Sequence, residues 1–137
     1  MSRSLSEAIR RQVAERAGNR CEYCLVPEYF LATVFHTDHI RSIKHRGTST
    51  LNNLAYACPH CNQYKGTDVG AFIGDDTDQI VRLFNPRKDV WQEHFETSNG
   101  LILPITDIGN VTVSLLEMNQ PDRLIFRQEL SSSGFYP

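Results

Sequence analysis

Leu5, Ile9, Val13 and Ala17 recur four residues apart with charged and polar residues between them. That spacing predicts an amphipathic first helix. Ser4 and Glu7 form an S-x-x-E capping box at its start, and Gly18 supplies the stop. Arg10, Arg11 and Arg16 fall off the apolar stripe, which leaves them to solvent or to a nucleic-acid backbone. Arg20 to Leu25 reads as a tight turn. The aromatic and aliphatic residues from Tyr29 to Phe35 predict a short strand ending near His36. A loop through His45 to Thr50 follows, then a return strand around Leu54 to Ala57 and a short helix over Cys61 to Lys65.

Beyond residue 66 the pattern weakens. Residues 67–79 are polar, with two glycines and four aspartates, and read as a loop. Ile80 to Phe84 predicts a strand that Asn85-Pro86 ends. Trp91 and Phe95 are expected in the core, and Leu101 to Leu103 is a further strand candidate. Ile108, Val111, Leu115 and Met118 have helical spacing after a cap at Thr106 or Asp107, although the Val-Thr-Val run inside prefers strand. Pro121 to Leu130 reads as a last short helix with a frayed tail after Ser131. The fold class expected is α+β: a ββα core, an N-terminal helix and a C-terminal α/β extension. One domain of 137 residues is expected, with residues 67–137 packed on the core.

Composition narrows the class. Hydrophobic residues make up 40% and charged residues 22%, as in soluble globular proteins. No apolar run approaches the ~20 residues that span a bilayer, and the first residues lack a signal-type apolar core. A cytoplasmic location and no membrane partner are therefore expected. The formal charge of −2 conceals an asymmetry: residues 1–66 carry nine Lys/Arg against five Asp/Glu, and residues 67–137 carry five against eleven. The basic half favours a polyanionic partner.

Cys21-x-x-Cys24 and Cys58-x-x-Cys61 then change the picture. In a reducing compartment such pairs read as metal ligands before disulfides. Two residues between thiolates aim both at one ion, and two such turns complete a tetrahedron. Zinc held by four thiolates has no open position for water, so it is expected to be structural. Between the pairs stand Asp38-His39, Asn53-Leu54 and, after the last cysteine, Asn62.

In these elements the chain resembles the HNH endonuclease superfamily, whose zinc-containing members follow C-x-x-C, an acid-His-Ile step, Asn-Leu, then C-x-x-C-[HN]-x-x-K. The stretches LFNPRKDVWQEHF, TDIG and LLEMNQPDR are similar to the tails of small stand-alone bacterial members, so the likeness spans most of residues 16–130. The resemblance implies a ββα-metal, treble-clef-like fold and a metal-dependent endonuclease acting on DNA. His39 suits a general base, because an ordinary imidazole titrates near ~6.5. Asp38 is a hard oxygen ligand for Mg²⁺ or Mn²⁺. The resemblance implies Asn62 as second metal ligand and Asn53 as the brace of the loop carrying the histidine. Lys65 matches the trailing lysine, as a phosphate contact or a solvated helix end. Arg41, Lys44, His45 and Arg46 form a basic loop, and His60 is a surface residue or a phosphate contact. Many relatives carry an acid two residues before the acid-His step. Here His36 stands there, as a third metal-site residue, a tuning neighbour or a structural side chain. The alternative is a zinc-dependent nucleic-acid-binding module without cleavage; a protein-interaction zinc domain is a third. A single site cuts one strand, so a double-strand break needs a dimer or two events.

Overall fold

The computed structural model describes residues 5–75 and 77–137; Ser4 of the expected capping box lies outside them. The chain divides into two compact units, Met1–Val69 and Gly70–Pro137.

In the first unit, helix α1 spans Glu7–Arg16 and is capped by Ser6, whose Oγ accepts the Ile9 N–H at 3.2 Å. Val13 is fully buried, while Leu5, Ile9 and Ala17 are half-buried. The apolar stripe therefore meets its neighbours along a narrow seam. Arg16 is exposed, as its place off the apolar stripe predicts, and its guanidinium also donates to the carbonyls of Leu51 and Leu54. It thereby ties the helix end to the start of the return strand.

Strands β1, His36–His39, and β2, Leu54–Ala57, pair antiparallel from His36↔Ala57 to His39↔Leu54. The return strand stands where its apolar run placed it. β1, however, begins at His36, where a strand was expected to end. Residues 29–35 instead hold a 3-10 turn, Glu28–Phe30, and an irregular loop. The Glu28 carboxylate explains this, because its Oε2 accepts the Phe35 N–H at 2.7 Å and the Tyr56 hydroxyl at 2.6 Å. The segment thus satisfies backbone from a side chain rather than from a ladder. Two 3-10 turns, Ile43–His45 and Leu51–Asn53, carry the chain between the strands. Helix α2, Pro59–Lys65, starts two residues before the expected point, because Cys58 caps it and Pro59 opens its first turn. β1, β2 and α2 form the expected ββα arrangement.

The second unit corrects the reading of residues 67–79 as loop. Strand β3, Gly70–Phe72, pairs with β4, Ile80–Arg82. A side chain at Gly70 would put its Cβ 2.8 Å from the Val81 carbonyl oxygen, so the glycine permits the close pairing it seemed to argue against. Helix α3 is Trp91–His94. Strand β5, Phe95–Ser98, was not anticipated; it pairs with β6, Leu101–Pro104. Asn99 and Gly100 between them have φ of 47° and 82°, as an Asn-Gly hairpin turn requires. Helix α4, Asp107–Leu115, absorbs the Val-Thr-Val run, since Val111 and Thr112 are buried. Thr112 Oγ1 donates to the Ile108 carbonyl and accepts the Phe84 N–H. Helix α5 runs over Pro121–Ser132. Trp91 and Phe95 stack within this unit's core, with ring centroids 4.8 Å apart, as their expected packing role requires. The class is α+β, with three antiparallel strand pairs among the described residues. None of their helices is long and apolar enough to cross a membrane.

Thr106 Oγ1 caps α4 by accepting the Gly109 N–H at 3.0 Å and also bonds the His94 ring at 2.6 Å. Thr106→Ala is expected to lower the unfolding free energy by about 1–2 kcal/mol, read as a shifted midpoint in urea; an unchanged midpoint contradicts this role for the cap.

Candidate functional site

The first cysteine pair sits on the turn after α1. The Cys24 N–H points at Cys21 Sγ at 3.5 Å, and Leu25 N–H returns to the Cys21 carbonyl at 2.9 Å. The second pair straddles the start of α2, where the Cys61 N–H points at Cys58 Sγ at 3.4 Å. All four thiols are buried, and their sulfurs lie within 4.8 Å of one another. Cys24 and Cys58 sulfurs are 3.7 Å apart. Zinc–thiolate bonds of ~2.3 Å in a tetrahedron put sulfurs ~3.8 Å apart, so the cluster fits a structural zinc site. Burial pushes the Cys21 and Cys61 thiols well above the ordinary range. A bound dication would displace those protons and neutralise the buried sulfurs.

Tyr23, between the first two cysteines, is fully buried. Its hydroxyl donates to Asp38 Oδ2 at 2.8 Å. A buried phenol needs such a partner, and that requirement was the overlooked signal in C-E-Y-C. Asp38 is itself 5% exposed and faces Lys65, which is 1% exposed. The Lys65 ammonium lies 3.3 Å from Oδ1 and 3.2 Å from Oδ2, and donates to the His39 carbonyl at 2.9 Å. Lys65 therefore neither ends in solvent nor extends to a surface phosphate; it pins α2 to β1. Burial pushes the Asp38 carboxyl up, while the Lys65 ammonium and the Tyr23 hydroxyl act against it. Burial likewise pushes the Tyr23 phenol well up, reinforced by the Asp38 carboxylate, so the phenol remains a donor.

His39 follows on β1 and is partly buried. Its Nε2 meets Ser49 Oγ at 2.9 Å, a partner that no motif announced. Burial lowers the imidazole's proton affinity, Asp38 raises it, and Lys65 lowers it again. The net direction is downward, which keeps the ring neutral and able to accept a proton near neutral pH.

Asn53, at the end of the 3-10 turn Leu51–Asn53, spans the loop between the strands. Its Oδ1 accepts the Arg41 N–H at 2.9 Å, and its Nδ2 donates to the carbonyls of Arg41 at 2.8 Å and Thr48 at 2.7 Å. Gly47 lies under this brace, where a Cβ would come 1.6 Å from the Arg41 oxygen and 2.8 Å from Asn53 Nδ2. Arg41 folds back, its Nε donating to the His45 carbonyl at 2.7 Å.

A cleft of about 570 Å³ opens beside these elements, lined by Thr37, Asp38, His39, Lys44, Asn62 and Thr67 among others. Ser42 Oγ donates to the Thr67 carbonyl at 3.0 Å and closes one wall. The structure thus brings Asp38, His39 and Asn62 to one cleft and leaves Asn53 behind the loop. His36 is exposed at the start of β1 and is not among the described residues lining the cleft. His60 is exposed on the first turn of α2.

The donor set suits a hard divalent cation. Asp38 lines the cleft, and its Oδ1 has only the long Lys65 contact among the described residues. The half-buried Asn62 amide lines the cleft without a hydrogen-bond partner among those residues. One carboxylate oxygen and one amide oxygen match the preferences of Mg²⁺ or Mn²⁺ rather than of zinc.

Residues 21–68, 48 of the chain's 137, match the family model described as HNH endonuclease. No curated protein and no solved structure matches the chain. An HNH domain supports a nuclease or nucleic-acid-binding function.

Structural zinc contributes ~10–16 kcal/mol of apparent folding free energy in small domains. Zinc removal by a strong chelator is expected to abolish the cooperative unfolding of residues 1–69, and Cys58→Ser to do the same. A Cys58→Ser protein that melts like wild type contradicts the clip. Lys65→Met leaves Asp38 buried without its counter-charge and is expected to cost about 3–5 kcal/mol, measured by denaturant titration of the zinc-loaded protein.

Proposed function

We propose that the HNH domain at residues 21–68 makes this protein a metal-dependent endonuclease that hydrolyses DNA phosphodiester bonds. The observation carrying this reading is that His39, Asp38 and Asn62 line one open cleft.

His39 takes the proton from an attacking water on the ring nitrogen not engaged by Ser49, in the tautomer whose Nε2–H donates to Ser49 Oγ. Asp38 and Asn62 would hold Mg²⁺ or Mn²⁺. When bound, the cation supplies Lewis-acid polarisation of the phosphate and neutralises charge on the departing 3′ oxygen. Asn53 keeps the loop after β1 in shape through its three bonds to Arg41 and Thr48. Lys44 lines the cleft as a cation for a neighbouring phosphate. The four cysteines carry zinc and take no part in the chemistry. His36 stands outside this ligand set. Residues 67–137 belong to the same nuclease as an extension, and reduced zinc thiolates suit a cytoplasmic setting.

Conversion of supercoiled plasmid to open circle with added Mg²⁺ or Mn²⁺ tests the reading. Wild type is expected to nick, and zinc-loaded His39→Ala to be at least ~100-fold slower. Equal cutting by the two proteins removes His39 from the mechanism. DNA binding without cutting under any divalent cation assigns the protein to the binding modules instead.

A further inference from the structure

The cleft chemistry proposed above uses Asp38 but assigns no role to the residue that grips it from behind. Tyr23 sits between two zinc-ligating cysteines, is fully buried, and places its hydroxyl 2.8 Å from Asp38 Oδ2. A knuckle residue whose single task was to fill space would be served by phenylalanine. A hydroxyl in a fully buried position is costly unless it is bonded, and this one is bonded to the carboxylate on β1. The two oxygens of Asp38 are consequently unequal. Oδ2 takes both Tyr23 and Lys65, at 2.8 and 3.2 Å, whereas Oδ1 meets Lys65 at 3.3 Å. Rotation of the carboxylate about its own axis would exchange the two oxygens, and the short Tyr23 bond opposes that rotation.

We propose that Tyr23 is a positioning residue for the cleft cation: by holding Asp38 Oδ2 it presents Oδ1 to the divalent metal, so the geometry of the first cysteine turn is passed on to the metal site. This rests on the Asp38 role in the preceding reading. Partners that orient a metal-binding carboxylate typically contribute 10–100-fold in metal affinity or activity. They act without touching the cation, and a rigid aromatic ring anchored in the knuckle suits that task.

The test uses the full-length, zinc-loaded protein and three variants, Tyr23→Phe, Asp38→Asn and Ser49→Ala. Mn²⁺ binding is followed by loss of the free-ion electron paramagnetic resonance signal, alongside zinc content and melting temperature. Tyr23→Phe keeps the ring and deletes one oxygen. It is expected to retain full zinc and to bind Mn²⁺ about 10–100-fold more weakly. In the nicking assay its half-saturating Mn²⁺ concentration rises by a similar factor, while the KM for DNA is unchanged. Asp38→Asn is expected to weaken Mn²⁺ binding at least as much, and Ser49→Ala to leave it unaltered. Mn²⁺ binding by Tyr23→Phe equal to wild type overturns the proposal. Loss of zinc from Tyr23→Phe overturns it as well, because the hydroxyl would then serve the clip. Undiminished Mn²⁺ binding by Asp38→Asn instead removes Asp38 from the metal site, an outcome separable from failure at Tyr23.

Discussion

Four sulfurs brought within 4.8 Å of one another are the constraint on which the first unit depends. The two cysteine pairs bracket all three 3-10 turns, β1 and β2, so a metal held by the four sulfurs would close the whole excursion. Closing a loop of that size costs conformational entropy that grows only slowly with length. A strong local bond at the ends can therefore hold a long, irregular segment. That explains how the unit keeps a two-stranded sheet, which is marginal on its own. It also explains why the segment can be given over to loops and a cleft rather than to apolar packing. The helix cap and the clip are one residue: Cys58 ends β2's exit, starts α2, and supplies a sulfur.

Inside the bracket, polar contacts replace what a larger core would do. Lys65 holds the end of α2 to β1, Tyr23 holds the first knuckle to the same carboxylate, and Arg16 holds α1 to the start of β2. Each bond joins two elements distant in sequence. Buried ion pairs add little net stability compared with apolar packing, but the Lys65 and Tyr23 contacts both converge on Asp38, on the strand that lines the cleft. The second unit follows the opposite strategy. Its aromatic cluster of Phe84, Trp91 and Phe95 supplies the packing, and the buried Arg127 and half-buried Asn119 complete backbone groups at Gly100 and Ile102.

The return strand, the helix after Pro59 and the cysteine cluster were legible because each rests on local chemistry or fixed spacing. The aromatic stretch at 29–35 was misread for a physical reason. Its hydrophobic residues imply burial, yet Tyr29 is 88% exposed, and a single glutamate from outside the segment sets its backbone. Gly70 likewise argued against the strand it permits, because close approach of a neighbouring backbone is invisible in one dimension. The Asn99-Gly100 pair was a readable hairpin signal that should have identified β5. Lys65 and Tyr23 were hidden more deeply. Nothing in a sequence distinguishes a lysine that reaches solvent from one that turns inward, until the carboxylate it meets is located across 27 positions.

The same inward turns alter how the basic half of the chain should be weighed. Residues 1–66 carry a formal excess of four positive charges. Arg16, Arg20 and Arg41 spend donors on backbone carbonyls, and Lys65 is sealed against Asp38. A guanidinium anchored in this way keeps its field but loses freedom to follow a flexible polyanion. The surface available for mobile contact is thus narrower than a count of basic residues implies, and Lys44 is the basic residue that lines the cleft among the described residues.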